Sequence, residues 1–324
     1  MRRTSLVGLA SLLALAAAGC GAQPQATPSP STHGVANVAY AGSLQDVNDT
    51  LIGPAFQNAT GNTYQGQGGG SVGIAQEIRS KTILPNVFES IGYAPVQIIE
   101  PSSTRWALAF AASPLVVAYN PHSPFSGELN AIKAGHLPIK DLFTLMANPA
   151  FHLGRTNPNT DPQGQAFYMM VELAVKQYGL PSGLASKILG PIDNPHQVYS
   201  EEGILTLLQS GGLDASSAFL SEAIQRHLDY IALPASLNFA APSQGTWYHT
   251  ASLTLGSGKI LHGAPLTVDL TTVGKPAPAA VSFIQFVLGS EGARIMKRAG
   301  YTVFRPEVLG TASAIPQALQ RFAP

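Results

Sequence analysis

From residue 35 onward, short apolar runs of strand length alternate with stretches in which apolar residues recur every three or four positions. The run 37–41 (NVAYA) predicts a strand that turns at Gly42. Leu44, Val47, Leu51 and Phe56 then follow at helical spacing, with Ser43 placed to cap that helix. Residues 63–67 predict a second strand running into Gly68-Gly69-Gly70-Ser71. In the helix predicted over 72–81, Ile74, Ala75 and Ile78 share one face. A strand, Gly-Ser, helix pattern thus occurs twice. An apolar stretch at 106–112 precedes a strand predicted at 115–119; further strands are predicted at 151–156, 229–233, 253–255 and 266–271, and helices at 141–146, 204–209, 279–288 and 291–298. Asp161 followed by Pro162 predicts a capped helix over 162–178 that Gly179 closes.

Strands alternating with helices imply an α/β architecture with mostly parallel sheets. Ligands of such sheets sit at the carboxyl ends of strands, where helices begin. Ser43, Ser71 and Asp161 mark three helix starts that each follow a strand, and a helix N-terminus offers N–H groups and positive partial charge to an anion. Gly42 makes the first turn, and Gly70 lets backbone approach closely at the second. Taken singly, each serine is explained by capping alone. The anion reading requires the three helix starts to converge.

Composition narrows the choice of partner. Eighteen basic and eighteen acidic residues leave a formal charge of zero, and no Lys/Arg cluster occurs, which argues against a nucleic-acid partner. Arg2 and Arg3, an apolar run over 6–18, then Ala17-Ala18-Gly19-Cys20 read as an export signal over 1–20 that ends in a lipobox. That apolar run is too short to span a bilayer core, which needs roughly 20 residues. Residues 21–34 (GAQPQATPSPSTHG) read as a flexible spacer. The expected location is the outer face of the cytoplasmic membrane, with a lipid on Cys20 as the tether. No G-x-S-x-G or H-E-x-x-H motif occurs, and His122, His136, His152, His196, His227, His249 and His262 are scattered. No enzyme activity and no cofactor are expected.

The segments Ala41-Gly42-Ser43-Leu44, Gly70-Ser71-Val72, 157–164 (NPNTDPQG), 225–234 (QRHLDYIALP) and Gly289-Ser290-Glu291-Gly292 resemble, in order, the tungstate/molybdate-binding proteins of the WtpA and ModA type. The Asn-Pro-Asn-x-Asp-Pro-x-Gly run is the most specific of them. This resemblance implies a type II periplasmic-binding-protein fold, with two α/β lobes joined by a two-crossover hinge and the ligand in the cleft. The lobes would comprise residues 35–115 with 241–324, and residues 116–240. It further implies a tungstate or molybdate ion held by Ser43, Ser71, Gly42 and Gly70 from one lobe and by Asp161 and Ser221 from the other. The expected partners are that small oxyanion and an ABC permease, for a monomeric protein, with no free metal cation bound.

In the archaeal members two carboxylates complete an expanded coordination of the oxyanion's metal centre, and Asp161 matches the first. The second falls on Ala218, with Phe219 in place of a tyrosine. Glu222, four residues along, would lie about 6 Å further along a helix axis and is not assigned as a ligand. Two alternatives stay open: the same fold binding phosphate or sulfate, or a surface interaction protein that has lost its ligand.

Overall fold

The computed structural model describes residues 33–323. The export signal, Cys20 and the spacer up to residue 32 lie outside them. Among the described residues, β1 (Val35–Ala41), β2 (Thr63–Gly69), β3 (Val87–Ile91) and β4 (Trp106–Ala112) begin a first sheet. Only Ser113 and Pro114 then separate β4 from β5 (Leu115–Tyr119), which lies in a second sheet. That sheet adds β6 (Leu153–Thr156), β7 (Val198–Tyr199), β8 (Ala215–Phe219) and β9 (Asp229–Ala232), in the order β7-β6-β8-β5-β9. A hairpin of β10 (Ser252–Thr254) and β11 (Ile260–His262) follows. Finally β12 (Val268–Thr272) and β13 (Thr302–Gly310) return to the first sheet, which reads β13-β4-β12-β3-β1-β2. The chain therefore crosses between the sheets twice, once at Ser113-Pro114 and once between β9 and β12.

The sheets are mixed, where the sequence pattern led us to expect mostly parallel ones. β1 runs parallel to β2 and β3, and β6 parallel to β7 and β8. β5 and β12 run against their neighbours. The crossovers are the reason. A strand arriving from the other sheet enters where its new neighbours end: Leu115 opens β5 opposite Phe219, the last residue of β8, and Val268 opens β12 opposite Ile91, the last of β3. Apolar runs alone carry no strand direction, so periodicity could not reveal this.

β4 (WALAFAA) is buried along its whole length between β13 and β12, as its unbroken apolar run requires. The β10–β11 hairpin is tied to the helix Pro162–Tyr178, where Lys176 Nζ donates to the Thr250 carbonyl at 2.5 Å and Ser252 N–H to Glu172 Oε2 at 3.3 Å.

The first helix is not uniform. A 3₁₀ turn, Gly42–Leu44, leads to a π-helical segment, Val47–Ile52, and then to an α-helix, Gly53–Thr60. At the wide π turn Asn48 is buried and donates to Glu89 Oε2 at 2.6 Å. Glu89 lies in the middle of β3, and burial pushes its carboxyl up to about 7 even though the Asn48 bond pulls it down. The folded protein thus holds this proton more tightly than the unfolded chain does. The resulting stabilisation is complete below about pH 4.5 and is lost as pH rises through about 7. Thermal melts of the ligand-free protein should therefore fall between pH 5 and pH 8. Glu89→Gln, which keeps an acceptor for Asn48, should flatten that decline by an amount on the order of 3 kcal/mol. Equal slopes for both proteins would refute this.

Candidate functional site

Each fixed letter of the Asn-Pro-Asn-x-Asp-Pro-x-Gly run has a structural task after β6. Asn157 Oδ1 accepts the Asn159 N–H at 3.0 Å, and the Asn157 carbonyl accepts from Thr160 and Asp161 at 3.1 and 2.9 Å, so the chain reverses tightly. Pro158 offers its carbonyl to Gln165 Nε2 at 2.9 Å. Asp161 then caps the helix Pro162–Tyr178, with Oδ1 accepting the Gln163 N–H at 2.8 Å and Pro162 at the first position. A Cβ at Gly164 would lie 2.3 Å from the Thr156 carbonyl oxygen, so only glycine lets the helix start this close to the strand. The outcome is an Asp161 side chain that is 4% exposed and fixed at a helix start.

The two serines do something other than capping. Ala41 is the cap residue of the Gly42–Leu44 turn and makes no side-chain cap bond, while Ser43 sits inside the turn. Ser43 Oγ is buried without a hydrogen-bond partner. Gly42, just before it, receives the Gln45 N–H on its carbonyl. Likewise Gly70 precedes the helix Ser71–Ser80, and Ser71 is its first residue. Ser71 Oγ, fully buried, accepts the Ile91 N–H at 3.1 Å, which leaves its own proton to donate. Capping was the ordinary explanation for both serines, and the geometry removes it.

A chain of contacts carries these groups together. Tyr301, in the turn before β13, donates its phenol proton to the Ser43 carbonyl at 3.0 Å. Ser221 lies beside that phenol, its N–H donating to Ser113 Oγ at 2.9 Å and its own hydroxyl making no well-formed hydrogen bond. Next in sequence, Glu222 is buried, and its Oε2 accepts the Phe219 N–H at 2.7 Å and Gln163 Nε2 at 2.8 Å. Gln163 Oε1 in turn accepts from Ser217 Oγ at 2.8 Å. Burial raises the Glu222 carboxyl well above the usual carboxylate range, and the charge of nearby Asp161 adds to the rise.

Glu222 is the residue that sequence reasoning set aside. Helix rise from Ala218 locates only the Cα of Glu222; its side chain reaches back to the Phe219 N–H as the fourth residue of a capping box does. With Phe219 at the cap position the sequence carries only the glutamate half of that signature. Gln163 and Tyr301 carried no comparable signal.

The two sheet bodies touch directly on both sides of this cluster. Val72 and Gly73 N–H, at the start of the Ser71–Ser80 helix, donate to the Thr160 carbonyl at 3.0 and 3.2 Å. These two donors were expected to face an anion; a neighbouring carbonyl occupies them instead. On the other side Gln225 Nε2 donates to the Ala299 carbonyl at 2.9 Å, and a Cβ at Gly300 would come within 3.1 Å of Ser221 Cα. Gly42, Ser43, Gly70 and Ser71 thus come from the first body and Asp161, Ser221 and Glu222 from the second. Among the described residues no group of three or more His, Cys, Asp or Glu side chains could hold a metal ion.

A family model described as bacterial extracellular solute-binding protein matches residues 36–302. The chain belongs to that family. Its members bind and carry solutes and are not a class of enzymes. The molybdate/tungstate-binding protein WtpA of Thermococcus kodakarensis is 27% identical over 268 residues, covering 76% of this chain and 74% of its own. WtpA of Pyrococcus abyssi is 26% identical over 270 residues, covering 76% of each. The solved periplasmic molybdate-binding protein of Azotobacter vinelandii superposes with a TM-score of 0.55 at 17% identity, over 82% of this chain and 97% of that one, a likeness of fold. The resemblance drawn from the short segments holds across the chain, and the type II periplasmic-binding fold is the observed one. No helix among the described residues is long and apolar enough to cross a membrane.

Closure at Thr160 depends on Gly70, where a Cβ would lie 2.7 Å from the Thr160 oxygen and 3.2 Å from Asp161 Cβ. Gly70→Ala should leave the fold intact but hold the bodies apart, giving a larger radius of gyration by small-angle scattering than the parent protein. An unchanged radius would show that the contact does not limit closure.

Proposed function

We propose that this solute-binding protein is the extracytoplasmic component of an ABC importer that captures a tetrahedral oxyanion, tungstate or molybdate, between two lobes and delivers it to a permease. The observation that carries the reading is the buried, partnerless hydroxyl of Ser43, brought by Tyr301 and Ser221 to the same enclosed cluster as Ser71 and Asp161. A buried polar group left without a partner costs roughly 1–3 kcal/mol, a cost that a ligand supplying the missing bond would remove. The names of the WtpA relatives supply the ligand class.

In this reading the lobes are residues 35–115 with 241–324, and residues 116–240, with the β10–β11 hairpin riding on the second. Ser43 and Ser71 donate hydroxyl protons to two anion oxygens, Gly42 and Gly70 let the backbone approach, and Asp161 and Ser221 face the anion from the other side. Glu222 brings a second carboxyl although Ala218 stands where the archaeal pattern has one. Held protonated by burial, Glu222 donates to an oxyanion oxygen and does not repel it. Lobe closure excludes water and shapes the surface that the permease meets. The protein acts as a monomer, tethered through a lipid on Cys20 to the outer face of the membrane.

Calorimetric titration of the purified protein in phosphate-free buffer should give one-to-one binding of tungstate or molybdate, with little response to sulfate or phosphate. Ser43→Ala and Ser71→Ala should each weaken that binding by about 1–3 kcal/mol, the scale of a hydrogen bond to a charged group. A protein silent to tungstate and molybdate but responsive to phosphate or sulfate would move the ligand class. Two serine variants of unchanged affinity would remove the site.

A further inference from the structure

Outside the Thr160 contact lies an open groove of about 460 Å³. Its lining includes Val72 and Thr160, which adjoin Ser71 and Asp161 in sequence and bond to each other across the two bodies, so it borders the place where the bodies meet. The charged residues along it are Arg79 and Lys259, and no Asp or Glu lines it. Both cations are exposed, and neither takes part in the ion pairs found among the described residues. They stand on opposite banks. Arg79 belongs to the last turn of the Ser71–Ser80 helix, on the first sheet's body. Lys259 lies between β10 and β11, in a turn fastened to the second body where Gly256 N–H donates to Asn159 Oδ1 at 2.8 Å.

Among the described residues the interior offers no cation to an anion: its ionisable groups near the cluster, Asp161, Glu222 and Glu89, are buried carboxyl groups. With a formal charge of zero, the whole molecule supplies no general attraction for an anion. Local positive charge at the mouth is then what raises anion concentration at the cleft, and such fields act over a Debye length of about 8–10 Å at physiological salt. We infer that Arg79 and Lys259 form a cationic entrance that draws the oxyanion into the open cleft before the Thr160 contact closes behind it. This rests on the oxyanion reading above. The pair acts on association, and the buried donors act on retention.

The test uses the double variant Arg79→Gln, Lys259→Gln, titrated calorimetrically with tungstate and molybdate at about 10 mM and about 500 mM ionic strength. A second double variant, Lys187→Gln, Lys297→Gln, makes the same change in net charge at exposed sites that do not line the groove. Expected is a 5- to 10-fold rise in Kd for the groove variant at low salt, shrinking to less than about 2-fold at high salt, with the control close to the parent protein throughout. Stopped-flow fluorescence should place the loss in the association rate and leave dissociation unchanged. An unaltered low-salt Kd in the groove variant, or an equal loss in the control, would overturn the entrance while the oxyanion reading stands. If the parent protein binds neither tungstate nor molybdate, the two fall together.

Discussion

The halves of this molecule meet at one carbonyl that two backbone N–H groups share. Thr160 presents its oxygen to the N–H groups of Val72 and Gly73, at the positive end of the Ser71–Ser80 helix. Because the contact is backbone to backbone, side-chain rearrangement cannot shift it, and Gly70 is the residue whose missing Cβ permits it. The neighbours of the two partners, Ser71 and Asp161, are carried into proximity as a consequence. The Ala299–Gly300 turn makes a second contact at Gln225 and Ser221, on the far side of the cluster. The hydroxyls of Ser43 and Ser221 are enclosed between the two, away from the water that would otherwise satisfy them.

Electrostatics sets the terms of binding in such an enclosure. A donor to a charged group contributes about 1.5–3 kcal/mol. One ionised carboxylate 4 Å from a unit of like charge costs about 4 kcal/mol at an effective dielectric constant of 20. A single ionised Glu222 would thus offset one or two serine donors, and more against a dianion. Burial favours the neutral carboxyl, which in the proposed site would stand beside the anion as a donor and not as a like charge. Asp161 has its Oδ1 committed to the helix start through Gln163. The same Gln163 holds Glu222 through its amide, so the two carboxyl groups are positioned by one residue.

Much of this was legible in the sequence because it is local. The cap at Asp161, the proline after it and the glycine that ends the helix at residue 179 follow from short-range backbone chemistry, and the structure places them as expected. The serines were legible as residues but not in role. Ser71 turns its hydroxyl to a strand end twenty residues away, and the Ser43 carbonyl accepts from Tyr301, near the other end of the chain. Spacing cannot carry contacts of that range. Strand direction failed for a related reason, since it depends on where the chain crosses between sheets. Glu222's place in the cluster was not legible either, because rise along a helix measures where a Cα lies and takes no account of a side chain that folds back to its own helix start.

The most direct measurement is a crystal structure of the protein with tungstate, located by its anomalous scattering. Expected is one tungsten peak in the enclosure, within hydrogen-bonding reach of the Ser43 and Ser71 hydroxyls through its oxygens and facing Asp161 and Glu222. A peak confined to the outer groove, or no peak at all from a protein saturated with tungstate, would contradict the assignment of the enclosed cluster as the binding site.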